Sequence, residues 1–208
     1  MFLSLYYIAA LILVLSFHEC SHAWVAHRLG DPTAKREGRL TLNPLAHLDL
    51  VGTLMMFLVG IGWGKPVPVN PHNFQHPVRD QAFTALAGPG ANLLLALIFA
   101  IPFTYFPQGP GWDQATFFCG AVLDLSLVLL VFNMLPFPPL DGSKFYALFI
   151  PKRFLPAYFN FLSKGMPWFL VLVLVDLYVF ERLFGASLIW TVVSELTYWL
   201  KAAILLIV

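Results

Sequence analysis

His18 and His22 stand four residues apart, with Glu19 directly after the first, inside an otherwise apolar run. On a helix, residues four apart lie about 40° apart on one face, one turn above the other, so both imidazoles can reach one metal ion. Glu19 sits about 100° round from His18 but only about 60° from His22, on the flank of that face. It can act on a water that the metal acidifies without ligating the metal. This is the geometric logic of the His-Glu-x-x-His pattern: two nitrogen ligands for zinc and a base beside them. The bland alternative is a chance pattern or a structural polar cluster. The setting weighs against it, because an ionisable group within a membrane span costs at least about 2.5–3.5 kcal/mol on insertion scales and usually faces a partner or a cavity.

Catalytic zinc keeps three protein ligands and one open position, so a third ligand must come from elsewhere. Candidates are His27, His47, Asp49, Asp124, Asp141 and Asp176. Ranking them requires the elements that carry them. The chain has 208 residues, 59% hydrophobic and only 11% charged, with a mean hydropathy of +0.77, which is the balance of a bilayer protein. A net charge of +1 and no Lys/Arg-rich tract exclude a nucleic-acid footprint. Cys20 and Cys119 are too few for a disulfide framework or a four-thiolate site. The opening apolar stretch lacks a basic region and a small-residue cleavage site, so it reads as mature structure.

Apolar stretches at 2–28, 82–106, 116–135, 166–181 and 186–207 approach the length of a membrane span. A sixth, 48–63, is short and carries Gly52, Gly60 and Gly62, with Gly64 and the Pro66 to Pro71 run following. Glycine and proline at that density argue against a regular crossing helix. If 48–63 dips in and returns, Arg28, Lys35, Arg36, Arg39, Lys65, Arg79, Lys144, Lys152, Arg153 and Lys164 share one side, and the other holds only Arg182. A full crossing would split them almost evenly. The positive-inside rule therefore favours five spans and a re-entrant segment, with the N-terminus outside and the C-terminus cytoplasmic. The expected fold is an all-α polytopic membrane protein with a short extended β stretch near Val67 to Asn70. It forms a single domain over 1–208, with a core of 1–145 and C-terminal helices over 166–207. In this topology the first span and the span from 116 run the same way. Asp141 then falls near the depth of His18 and His22, whereas Asp124 lies about 26 Å up-chain. Asp141 is the preferred third ligand; His47 and Asp49 stay open from the re-entrant segment.

Three runs taken together resemble the site-2 protease family of intramembrane zinc metalloproteases: His18-Glu19-Cys20-Ser21-His22, Gly88-Pro89-Gly90-Ala91-Asn92, and Asn133-Met134-Leu135-Pro136-Phe137-Pro138-Pro139-Leu140-Asp141-Gly142. They occur in the family's order over residues 18–142. The resemblance implies one Zn2+ on His18, His22 and Asp141, with Glu19 catalytic. It implies that Asn92 and Asn133 hold the substrate or stabilise the reaction intermediate; for each, a helix–helix hydrogen bond is the structural alternative. It also implies a substrate that is a transmembrane segment of another protein. The runs Arg39 to Asp49 and Gly64 to Asn70 look like a compact prokaryotic branch without PDZ or CBS domains. That branch implies the prokaryotic inner membrane, with the active site toward the cytoplasm. His18 lies too near the start for a preceding helix, so gating is expected from the C-terminal spans, a regulatory membrane protein or a homo-oligomer partner. The rival functions are a non-catalytic membrane metal sensor or transporter, and a thiol enzyme using Cys20. Transporters of this kind often show repeats, and none is visible here. Cys20 lies about 200° from His18 and faces away.

Overall fold

The computed structural model describes residues 5–50, 52, 54, 64–107, 109 and 111–208. Its helices are α1 (Leu5–Arg28), α2 (Thr33–Arg36), α3 (Pro77–Tyr105), α4 (Asp113–Asn133), α5 (Asp141–Tyr146), α6 (Leu155–Val175), α7 (Glu181–Phe184) and α8 (Leu188–Ile207). Four of them, α1, α3, α4 and α8, are long and apolar enough to cross a membrane. The protein is an all-α polytopic integral membrane protein.

In lipid there is little hydrophobic drive between helices, so close packing of small residues must hold them together. The core follows that rule. Ala10 and Val14 of α1 pack on Leu95 of α3 and on Ala121, Val122 and Leu125 of α4. On the other side, Ala96 and Ala100 of α3 and Leu123 and Leu127 of α4 receive Ile204 of α8. Gly120 lets Phe103 approach so closely that an added Cβ would lie 2.9 Å from its ring. Between α4 and α8, Lys201 Nζ pairs with Asp124 at 2.6 Å, which satisfies two charges in otherwise apolar helices.

The expected re-entrant stretch, 48–63, lies almost wholly outside the described residues. At its borders, Leu48 and Gly64 form an isolated antiparallel bridge. The extended stretch amounts to that bridge and an irregular strap from Lys65 to Asn70, with no strand among the described residues.

The expected span at 166–181 is corrected. It straddles the end of α6, a π-helical turn over Asp176–Phe180, and α7, which stops at Gly185 in the left-handed conformation (φ 75°). Tyr158 of α6 donates to the Ser143 carbonyl at 2.6 Å, Gly165 presses against Pro138, and Phe169 stacks near Phe132. All three partners sit where α4 ends. Asp176 then caps α8 at that same end, accepting from Ser187 Oγ and, at 2.8 Å, from the Leu188 amide. Helix α6 thus runs across the end of the bundle. The physical reason lies in its sequence: Asn160, Ser163, Lys164, Gly165 and Pro167 break the apolar run before it reaches spanning length.

With five spans the two ends of the chain would lie at opposite ends of the bundle, and the contacts among the described residues differ from that. Tyr6 near the start of α1 donates to Gln114 at the start of α4 at 2.7 Å, and Tyr105 at the end of α3 donates to the Val208 carbonyl. The start of α1 and Val208 therefore sit at one end of the bundle. The end of α1, the start of α3 and the α4–α5 turn form the other.

Candidate metal centre

Three elements meet at that second end. Helix α1 carries His18 and His22 on one face, and both are buried. Helix α4 stops at Asn133, and the proline-rich turn after it leads into α5, whose first residue is Asp141. Gly142 makes this turn possible: a Cβ there would lie 2.4 Å from the Met134 carbonyl oxygen and 2.5 Å from that of Leu135. Helix α3 supplies Gly88, and an added Cβ at that position would sit 2.4 Å from His22 Nε2 and 2.6 Å from His18 Nε2. The two imidazoles occupy space that only a glycine leaves open.

The result is a compact donor set. Asp141 Oδ2 lies 3.3 Å from His18 Nε2 and 3.0 Å from His22 Nε2, and the two nitrogens are 3.1 Å apart. Four-coordinate zinc with bonds of about 2.0–2.1 Å needs donors about 3.3 Å apart along the edges of its tetrahedron. The three edges here fit that ion. Among the described residues these three form a cluster able to hold a metal. His22 Nδ1 lies 2.7 Å from the Thr84 carbonyl oxygen, which fixes the ring from behind.

The cluster opens into a cleft of about 570 Å³, whose walls include Glu19, Asn133 and Lys144 and the strap residues Pro66, Val67 and Val69. Lys144, one helical turn after Asp141, reaches its other carboxylate oxygen at 3.7 Å. Asn133 lines the cleft, its amide donating to the Leu129 carbonyl at 3.0 Å. Asn92 does not line it: fully buried, it contacts His18 Nδ1 at 3.1 Å, on the far side of the ring. The other candidate ligands are held elsewhere. His47 is bound to the Thr41 carbonyl at 2.8 Å, His27 contacts Lys35, Asp49 accepts from the Gly52 amide, and Asp124 and Asp176 are occupied as described above.

The strap is fastened at its back. Buried Arg39 donates to the Lys65 carbonyl at 2.5 Å and the Pro66 carbonyl at 3.1 Å. Asp31, with no exposure, accepts from the Asn70 amide, the Asn73 side chain and Thr33. Burial alone would push the Asp31 carboxyl up, but these donors outweigh it and hold it below the usual carboxylate range. A depressed folded-state value gives stability that is present above the ordinary carboxylate range and lost as pH falls through the depressed value. Hydrogen-exchange protection of the amides in residues 65–73, taken relative to the intrinsic rate at each pH, is therefore expected to fall on acidification below about pH 4. Asp31→Asn should remove that pH dependence; an unchanged acid response in the variant would locate it elsewhere.

Sequence reasoning gave no site role to Thr84, Lys144 or Arg39, and named Gly88 only as part of the second motif. The i,i+3 spacing of Asp141 and Lys144 was a usable signal. The close approach of Gly88 has none, because it depends on the distance between two helices.

The chain resembles proteins named as zinc metalloproteases. It is 36% identical over 198 residues to YwhC of Bacillus subtilis, covering 91% of this chain and 86% of that protein. It is 37% identical over 145 residues to Rip2 of Mycolicibacterium smegmatis, covering 65% of this chain and 53% of that protein. To MJ0611 of Methanocaldococcus jannaschii it is 32% identical over 144 residues, 67% of this chain and 70% of that protein. No family profile matches the chain, and no solved structure matches it.

Proposed function

The chain belongs to the family of zinc metalloproteases that includes YwhC, and from that premise and its spanning-length helices we propose that it is an intramembrane endopeptidase of the site-2 protease type. One observation carries the reading. Two imidazoles and a carboxylate converge at the edge lengths of a zinc tetrahedron, beside a glutamate, in a cleft at one end of a membrane-spanning bundle.

In this reading His18, His22 and Asp141 hold one zinc ion. Bound there, zinc would supply a Lewis acid that acidifies water near neutral pH and polarises a carbonyl. Glu19 takes the proton from the attacking water and passes it to the leaving amine. The Asn133 amide, already at the cleft wall, turns from the Leu129 carbonyl to donate to the substrate or to the developing oxyanion.

The substrate is a transmembrane segment of another protein. A helix hides its carbonyls in internal hydrogen bonds, so the segment must unwind before cleavage and find partners for its freed backbone. The strap offers them. Pro66 and Pro68 lack amide hydrogens, while Val67 and Val69 have them. In an extended chain alternate residues turn their polar groups to the same edge, so the edge of Val67 and Val69 can pair with a substrate strand. Arg39 and Asp31 keep that edge in position.

The metal end faces the cytoplasm. Of the 12 Lys and Arg residues, only Lys201 lies within a spanning helix away from that end, because α6 and α7 bring Arg182 to the same side as the rest. This bias is the positive-inside pattern, and in a prokaryotic cell the membrane is the inner one.

The test is metal removal from purified protein reconstituted with a single-span membrane substrate. A zinc chelator should stop cleavage, and stoichiometric zinc should restore it. Cleavage that continues in zinc-free protein would refute the proposal.

A further inference from the structure

The rear nitrogens of the two imidazoles are served differently. His22 Nδ1 faces the Thr84 carbonyl, an atom that can only accept, so the proton sits on Nδ1 and Nε2 keeps its lone pair for the cluster. His18 Nδ1 instead faces the side-chain amide of Asn92, with Nδ2 at 3.1 Å. Asn92 has no exposure, and its Oδ1 is buried without a hydrogen-bond partner. His18 Nδ1 thus faces the end of a neutral carboxamide whose nitrogen and oxygen exchange places by a half-turn, while Nε2 points at the cluster, 3.3 Å from Asp141 Oδ2.

A metal ligated by His18 Nε2 fixes one tautomer of that ring. The lone pair must then be at Nε2 and the proton at Nδ1, which needs an acceptor. Half a turn of the Asn92 carboxamide brings its orphaned Oδ1 to that proton. A carboxamide oxygen is a neutral acceptor, which serves an imidazole N–H without adding charge to the site.

We propose that Asn92 is a positioning residue for the metal: its Oδ1 accepts from His18 Nδ1–H and so sets the tautomer and orientation of that ligand. This rests on the metalloprotease reading of the site. It gives Asn92 a place behind a ligand, in contrast to the substrate or intermediate contact implied by the sequence resemblance.

The experiment measures zinc affinity of the full chain in detergent by competition with a chromophoric chelator, for wild type, Asn92→Leu and Asn92→Asp. Removing the acceptor behind a metal-ligating histidine costs about 10–100-fold in affinity, and Asn92→Leu is expected to lose that much. Asn92→Asp keeps an acceptor toward Nδ1–H and should hold zinc within about threefold of wild type or more tightly, as carboxylate–histidine–zinc arrangements do. Rescue by Asp separates positioning from mere packing, since Leu and Asp are close in size to Asn while only Asp accepts. If Asn92→Leu fails to fold, Asn92→Asp decides: a loss of 10-fold or more overturns the role. Wild-type affinity in a folded Asn92→Leu overturns it too. A wild-type protein that takes up no zinc refutes the metalloprotease reading itself, and the role of Asn92 with it.

Discussion

Glu19→Gln is expected to lower peptide-bond cleavage by about 10²–10⁴-fold, the usual contribution of a positioned general base, with zinc still bound at one ion per chain. Glutamine keeps the shape and hydrogen-bonding reach of the side chain but cannot take a proton at neutral pH. Glu19 lies at the cleft wall, and its Oε1 is 4.0 Å from where a Cβ on Gly64 would be, so the carboxylate faces the junction of cleft and strap. It is outside the three-donor cluster, which leaves the metal ligands untouched by the substitution. Single-turnover cleavage with zinc-loaded protein measures the effect, and zinc content measured in parallel separates loss of chemistry from loss of metal. A variant that cuts within tenfold of wild type would remove Glu19 from the mechanism.

Gly88→Ala should abolish zinc binding, with a loss of affinity above the roughly 100-fold seen for indirect effects on a ligand. The new methyl carbon would fall 2.4 Å from His22 Nε2 and 2.5 Å from His18 Cε1, well inside contact distance. Gly88 sits in mid-helix, where its backbone cannot retreat without disturbing α3, so the two rings must move off the cluster. Helix propensity alone would favour alanine by about 1 kcal/mol, so the clash is predicted to act against an otherwise stabilising change. Gly90→Ala is the matched control. It lies in the same helix, and nothing stands within 4 Å of its added Cβ. Chelator competition on both variants should show zinc lost from the first and retained by the second. Full zinc uptake by Gly88→Ala would mean that the rings do not occupy this space in solution.

The parts of the site legible in the sequence were those set by one helix or by relative depth. The i,i+4 spacing of His18 and His22 is enough to put both rings on one face. Asp141 could be chosen over Asp124 because α1 and α4 run in the same direction, so position along the chain translates into depth. Contacts across helices were not legible. The Thr84 carbonyl behind His22 and the tight approach of Gly88 depend on how α3 crosses α1, and no residue type announces a carbonyl aimed at a ring. Asn92 reads equally well as a cleft residue or a buried one; rotation of α3 about its axis decides it.

The expected span at 166–181 differs from the structure for a related reason. Hydropathy treats 166–181 as an apolar stretch without asking what precedes it. Gly165 lets α6 lie against Pro138, the π turn and Gly185 reverse the chain, and Asp176 starts α8 at the same level. The charge bias remained legible because it depends on which loops share a side, and moving Arg182 across only strengthens it.

The tyrosine links at the far end of the bundle, Tyr6 to Gln114 and Tyr105 to Val208, have a practical consequence for assays in living cells. On the proposed orientation, a fluorescent or enzymatic reporter fused ahead of α1 or after Val208 is expected to enter the same compartment, opposite the one that the cleft faces. The two fusions should give the same topological readout, and neither tag would crowd the catalytic mouth. A cleavage product released on the cleft side would have to be followed with a label carried by the substrate.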